Sequence, residues 1–390
     1  MTASFSFALQ HQDGQARRGR LVLPHGVVET PAFMPVGTRG AIKGLTIDQV
    51  EALDPDIILA NTYHLHLRPG DRLVGDLGGL HRFMGWDRPI LTDSGGYQVF
   101  SLASRRTMSE EGVVFRSHLD GQALSLSPES AVEIQARLGS DIAMVFDECP
   151  AWPATIEQAE VSMLRTLRWA RRGRDHFLKV GAGQVDDVVS STPGQAQFGI
   201  VQGGTWPELR DRSVAGTVAV GFEAYAIGGL SVGEPTDVMY GVVAHTAAQL
   251  PTHQPRYLMG AGLPDDLVEC VARGIDMFDC VLPTRNARNG QLFTRRGPIA
   301  IKNARYARDP LPPDPECGCP TCRRHSRAYL RHLFMAGEMS AAALNTVHNL
   351  YFYLDTMQAI RKAIESGRFD TFRRGFHETY SRRSADHLSK

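Results

Sequence analysis

The stretch Ser127-Pro128-Glu129-Ser130-Ala131-Val132-Glu133-Ile134-Gln135-Ala136-Arg137-Leu138-Gly139-Ser140-Asp141-Ile142-Ala143-Met144-Val145-Phe146 carries a helix and a strand, each with its own signals. Ser127 supplies an N-cap oxygen for the free amides of a helix start, and Pro128 suits the first helical turn. Ala131, Ile134 and Leu138 recur on one helical face, and Gly139 ends the helix in the usual way. The apolar run 142–146 then reads as a buried strand.

The same unit recurs outward in both directions. Short apolar runs at 32–36, 56–60, 89–91, 142–146, 198–201, 225–227, 256–259 and 275–281 alternate with helical stretches. Thr155-x-x-Gln158 and Thr205-x-x-Glu208 both have the capping-box spacing. Strand and helix repeated eight times predict an α/β fold, a (β/α)8 TIM barrel. Residues 1–31 alternate around Asp13-Gly14 and predict an N-terminal antiparallel hairpin lid. A second hairpin is expected over 113–126, around Asp120-Gly121. The predicted division is a lid (1–31), a catalytic barrel (32–309), and a zinc-binding subdomain with C-terminal helices completing the barrel (310–390), including a long helix over about 340–368.

Composition narrows the class. Of 390 residues, 43% are hydrophobic and 22% charged, which is ordinary for a globular protein. The formal net charge is zero, yet residues 285–331 hold eleven Lys or Arg against three acids, a local footprint suited to a nucleic-acid backbone. No apolar segment approaches the roughly 20 residues of a membrane span, and residues 1–7 lack a secretory signal, so a cytoplasmic protein is expected. Three clustered and three scattered cysteines suggest a metal site and reduced thiols, not a disulfide framework.

In such a barrel the chemistry gathers at the carboxyl ends of the strands. Those ends carry Asp93, Asp147 with Glu148, Gln202 with two glycines, Gly228 with Gly229, Met259 with Gly260, and Asp279. Met277-Phe278-Asp279-Cys280-Val281-Leu282-Pro283-Thr284-Arg285-Asn286-Ala287-Arg288-Asn289-Gly290 sets a carboxylate inside an apolar strand and follows it with two arginines suited to phosphate. Asp93 and Asp279 fit the two-carboxylate arrangement that breaks a glycosidic bond. Tyr97 and Met259 can sandwich a flat ligand, and Asp147 and Gln202 can hydrogen-bond its edge, as a purine-like base requires.

Cys317-x-Cys319-x2-Cys322 followed by His348 offers the Cys3His set of a closed, structural zinc site. His325 and His332 compete for the fourth place, but both follow the cysteines closely, whereas His348 on the next helix closes a loop more easily. His64-x-His66 suggests the metal pair of barrel hydrolases, yet Gln202 and Gly228 stand where further histidines would be needed.

Asp93-Ser94-Gly95-Gly96-Tyr97-Gln98, Phe146-Asp147-Glu148-Cys149, Ile200-Val201-Gln202-Gly203, Gly228-Gly229-Leu230-Ser231-Val232-Gly233-Glu234, 279–290 and the cysteine cluster occur in order across nearly the whole chain. In this the chain resembles the tRNA-guanine transglycosylase family, the base-exchange enzymes of queuosine biosynthesis. The resemblance implies that Asp279 is the nucleophile displacing guanine from the anticodon wobble position, leaving a covalent enzyme–tRNA intermediate. It implies that Asp93 is the acid/base, that Asp147, Gln202, Gly229 and Leu230 read the base, and that Tyr97 and Met259 stack on it. Arg285 and Arg288 would engage the anticodon loop of tRNAs with GUN anticodons, those for aspartate, asparagine, histidine and tyrosine.

The resemblance further implies one structural Zn2+ per subunit, held by Cys317, Cys319, Cys322 and His348, and a homodimer contact in the same lobe. Val232 and Cys149 resemble the bacterial form, whose base is 7-aminomethyl-7-deazaguanine. Use of queuine, or a non-catalytic RNA-binding partner subunit, are the alternatives. Leu263 departs from the polar or basic residue of many relatives beside the RNA path.

Overall fold

The computed structural model describes residues 5–388 except 103–105, 118 and 120; Asp120, half of the second predicted turn, therefore lies outside the described residues. Eight short strands form one parallel sheet: Ala32–Pro35, Ile58–Ala60, Ile90–Thr92, Ile142–Met144, Ala196–Val201, Ala224–Ile227, Arg256–Leu258 and Met277–Cys280. These are strands one to eight below. Strand eight pairs with strand one through Met277↔Ala32 and Asp279↔Met34, and a parallel bridge between Val36 and Leu59 joins strand one to strand two. The ring is closed, so this is the expected (β/α)8 barrel.

Nearly every strand residue is buried, because the barrel interior packs one face and the surrounding helices the other. The decisive stretch folds as read. Ser127 accepts from the Ser130 amide, Pro128–Leu138 is helical, and Gly139 closes the helix at φ 69°. Thr155 likewise forms its capping box with Gln158 ahead of Ile156–Gly181. The box expected at Thr205 does not form. Pro207 occupies the first turn of Pro207–Val220, which shifts the N-cap to Trp206 and leaves Thr205 one residue too early.

The eighth barrel helix comes late. After strand eight the chain makes the short helix Leu282–Arg288 and a lobe reaching Met335 before Met339–Glu365 returns to the barrel. There the Tyr353 ring lies 4.8 Å from Phe33 of strand one, and its hydroxyl donates to the Gly262 carbonyl at 2.5 Å. The insertion after strand three is a three-stranded antiparallel sheet, Arg106–Met108, Val113–Arg116 and Ala123–Leu126, one strand more than the predicted hairpin.

The N-terminal segment is also three-stranded: Ser6–Asp13, Ala16–Leu23 and Gly26–Thr30. It lies against the amino ends of the barrel strands, opposite their carboxyl ends, and is thus a floor. Three aspartates lying just before strands anchor it. Asp276 holds Arg17 at 3.1 Å, Asp141 accepts the His25 amide at 2.9 Å, and Asp56 accepts the Glu29 amide at 3.1 Å.

Candidate active site

Asp93 follows strand three directly and is buried. Its Oδ2 accepts from Asn61 Nδ2 at 2.5 Å and Gln98 Nε2 at 2.7 Å, and its Oδ1 from the Thr62 amide at 2.8 Å. Burial pushes its pKa up to about 6 against the pull of these donors, and the nearby charge of Asp279 adds to the rise. The chain can turn away from Asp93 because Gly95 adopts φ 81°, and a Cβ on Gly96 would fall 2.7 Å from the Asp147 carbonyl.

Asp279 stands third in strand eight. Its Oδ1 accepts from the Tyr257 hydroxyl at 2.6 Å and the Gly260 amide at 2.8 Å. Burial raises its pKa above the ordinary carboxylate value, and the two donors oppose the rise.

Asp147 lies beyond strand four, with Oδ1 receiving Ser94 Oγ at 3.2 Å and Oδ2 receiving Gln202 Nε2 at 2.7 Å. Burial pushes its pKa up to about 6 as well. The other end of the same amide, Gln202 Oε1, is buried and has no hydrogen-bond partner among the described residues. Gly228 and Gly229 border Gln202 so closely that a Cβ on Gly229, whose φ is 70°, would sit 2.3 Å from Oε1. Sequence reading identified the glycine pair and Gln202, but not Arg210, whose buried guanidinium lies behind them.

One cavity of about 690 Å³ brings Asp93, Tyr97, Asp147, Gln202, Gly229, Leu230, Met259, Asp279 and Arg285 together, with Cys149, Val232 and Leu263 also on its wall. Its size is that of a small-ligand site. The Tyr97 ring is exposed at its rim. Arg288 lies one helical turn beyond Arg285, outside the cavity lining, and donates to the Thr284 carbonyl at 2.8 Å. The residues that support the carboxylates, Asn61, Gln98 and Tyr257, were not singled out from the sequence. Gln98 sat inside a quoted motif, whereas an isolated Tyr in a strand reads as ordinary core.

The cysteine cluster forms away from this cavity. Sγ of Cys317, Cys319 and Cys322 lie 3.8, 3.5 and 3.2 Å from Nδ1 of His348. A tetrahedral ion with ordinary Zn–S and Zn–N bonds would set that edge at about 3.6 Å. The fit extends outward, because His348 Nε2 donates to the Phe293 carbonyl at 2.7 Å and so leaves Nδ1 as the free lone pair. These four residues can hold a metal ion. Among the described residues, His325, His332, His64 and His66 join no such group. His66 instead bonds Asp71 at 2.6 Å.

A closed (β/α)8 barrel with three carboxylates converging on one cavity at the carboxyl ends of its strands defines a barrel enzyme. Comparison with known proteins narrows the class. The family model described as Queuine tRNA-ribosyltransferase matches residues 12–382. The Queuine tRNA-ribosyltransferase of Cereibacter sphaeroides is 54% identical over 377 residues, covering 97% of this chain and 97% of that protein. That of Shewanella sediminis is 53% identical over 376 residues, covering 96% and 97%. The chain belongs to the queuine tRNA-ribosyltransferase family and is a transferase of the pentosyl type.

Proposed function

We propose that this chain is a tRNA-guanine transglycosylase that exchanges guanine at the wobble position of GUN anticodons for 7-aminomethyl-7-deazaguanine. The reaction runs by double displacement. The Asp279 carboxylate attacks the anomeric carbon, the glycosidic C–N bond breaks, and the departing guanine takes a proton from Asp93. Asp93 then removes a proton from the incoming base, whose nitrogen displaces Asp279 and restores the free carboxylate.

The observation that carries this proposal is the pairing of two differently supported carboxylates with a base-shaped edge in one cavity. Guanine presents N1–H and N2–H donors beside an O6 acceptor. Asp147 and the unpartnered Gln202 Oε1 offer acceptors, and the Gly229 and Leu230 amides offer donors. Tyr97 and Met259 take the two faces of the base. Val232 on the cavity wall limits the space beside it, which favours the small aminomethyl base over queuine with its cyclopentenediol.

Arg285, Arg288 and the basic segment up to residue 331 grip the anticodon arm of a tRNA, where unstacked bases and phosphates are held together. Zinc bound by Cys317, Cys319, Cys322 and His348 would cross-link the lobe that carries this surface. That lobe also exposes Leu311, Tyr329, Met335 and Met339, and we place the homodimer contact there. In this scheme residues 1–31 form the floor, 32–309 the catalytic barrel and 310–390 the zinc lobe with the completing helices, in a cytoplasmic enzyme.

The test is incorporation of labelled 7-aminomethyl-7-deazaguanine into unmodified tRNA, with labelled queuine in parallel. Uptake of the first base alone is expected. Uptake of queuine would overturn the role given to Val232, and uptake of neither would favour a partner subunit. Asp279→Asn is expected to abolish the covalent adduct and retain tRNA binding; an adduct trapped with that variant would show the nucleophile is another residue.

A further inference from the structure

Arg210, on helix Pro207–Val220, is completely buried. Its three hydrogen bonds all go to main-chain carbonyls: Nε to Gly204 at 2.8 Å, Nη1 to Val201 at 2.9 Å and Nη2 to Gly228 at 2.9 Å. Among the described residues it joins no salt bridge. A buried cation without a paired anion is costly, and carbonyl dipoles only partly replace water. Burial pulls its pKa down to about 10, which still leaves it charged at neutral pH.

The three carbonyls belong to the ends of strands five and six and the loop after strand five, the walls of the proposed base pocket. The Gly228–Gly229 peptide is the telling one. A trans peptide is planar, with its carbonyl and amide on opposite edges. With the Gly228 carbonyl held by Arg210 behind the wall, the Gly229 amide points forward, toward the cavity that Gly229 and Cys149 both line. Two glycines in succession give this peptide no Cβ with which to hold its own orientation. The guanidinium fork supplies that restraint, and its planar geometry reaches three carbonyls where an ammonium would not.

We infer that Arg210 is a positioning residue for base recognition: it locks the Gly228–Gly229 peptide so that the Gly229 amide is presented as a donor to a carbonyl oxygen of the base. The inference rests on the proposed function, which places a guanine-like base in this cavity. It separates Arg210 from the residues that touch the substrate, and it gives a buried charge a task that fold stability alone does not require.

The experiment measures dissociation constants of guanine and 2-aminopurine, which lacks the O6 carbonyl, for the wild-type protein, Arg210→Lys and Arg210→Gln. Dissociation constants do not depend on the fraction of active protein, so a loss of folded material does not imitate the effect. The wild type is expected to prefer guanine by tenfold or more. Both variants are expected to lose about tenfold in guanine affinity while 2-aminopurine binding and the KM for tRNA stay within about twofold, so the preference collapses.

Equal losses for both bases, or an unchanged preference, would overturn the inference. A wild type that binds neither base and transfers none to tRNA would instead overturn the proposed function. The structure of the wild type with guanine bound is a second test that needs no variant. It should show the Gly229 amide on the base carbonyl with Gly228 still on Arg210; a peptide turned the other way would contradict the assignment.

Discussion

Tyr257 donates its phenolic hydrogen to Oδ1 of Asp279 at 2.6 Å, from strand seven to the neighbouring strand eight. This donor and the Gly260 amide favour the carboxylate form, while burial favours the acid. Replacing Tyr257 with Phe removes one of the two donors and leaves the ring. Hydrogen bonds to charged groups contribute about 1.5–3 kcal/mol. On the acid limb, where the ionised fraction of Asp279 limits the rate, single-turnover adduct formation should therefore slow roughly 10- to 100-fold, with the dissociation constant for tRNA unchanged. Losing a donor to the ionised form raises the Asp279 pKa, so the acid limb of the pH–rate profile should move to higher pH. An unaltered rate and limb would show that Tyr257 does not tune the proposed nucleophile.

Asp93 and Asp147, both lifted to about 6 by burial, each cost the fold stability when ionised. A carboxyl whose folded pKa is raised favours the native state while protonated, and that advantage is lost as pH rises from the unfolded value of about 4 through 6. Asp147→Asn should thus stabilise the unliganded protein by about 1 to 3 kcal/mol at pH 7.5 and by much less at pH 4. Urea denaturation at the two pH values checks this. A stabilisation that is the same at both would assign the effect to packing.

Below the barrel, His25 Nδ1 and His81 Nε2 lie 2.9 and 3.0 Å from the two oxygens of fully buried Asp141, and the rings stack at 3.5 Å. The bonds from His25 and His81 hold the Asp141 carboxyl well below the usual carboxylate range despite its burial. The same bond to Asp141 raises the His25 pKa. The Asp141 contribution to stability is present above about pH 4 and lost as pH falls through its folded pKa. The His25 contribution is full below about 6.5 and lost as pH rises through its raised pKa. His25→Gln should therefore destabilise more at pH 5.5 than at pH 8.5, as read from melting temperatures. Equal losses would mean the contact is made by neutral His25 throughout.

Removal of the zinc proposed for the cysteine cluster should act through the lobe alone. Chelation, or His348→Ala, should unfold the segment around Cys317, Cys319 and Cys322, because four donors held by about 10 kcal/mol or more of metal binding become three unpaired thiols and a cavity. Hydrogen exchange should rise across 311–348 and tRNA affinity should fall, with exchange in the barrel strands little changed. Unchanged exchange and affinity after verified metal loss would contradict a structural role.

The sequence by itself determined the order and type of the barrel elements. All eight strands lie within two residues of the predicted runs, and Asp93, Asp147, Gln202, Met259 and Asp279 stand at or beyond their carboxyl ends as expected. Those features are local: apolar runs, caps such as Ser127, and closing glycines such as Gly139 act within a few residues of themselves. The cysteine cluster was legible for the same reason, its three thiols lying within six residues of chain.

What only the tertiary structure decided is which neighbour supports each group. Asn61 beyond strand two meets Asp93 beyond strand three, Asp147 beyond strand four meets Gln202 beyond strand five, and Tyr257 on strand seven meets Asp279 on strand eight. Each pair joins adjacent strands, so its existence depends on the register of a parallel ladder that no local pattern encodes. The N-terminal sheet became a floor instead of a lid for a similar reason. The aspartates that anchor it, Asp56, Asp141 and Asp276, come together at the amino ends of the strands only when the barrel closes.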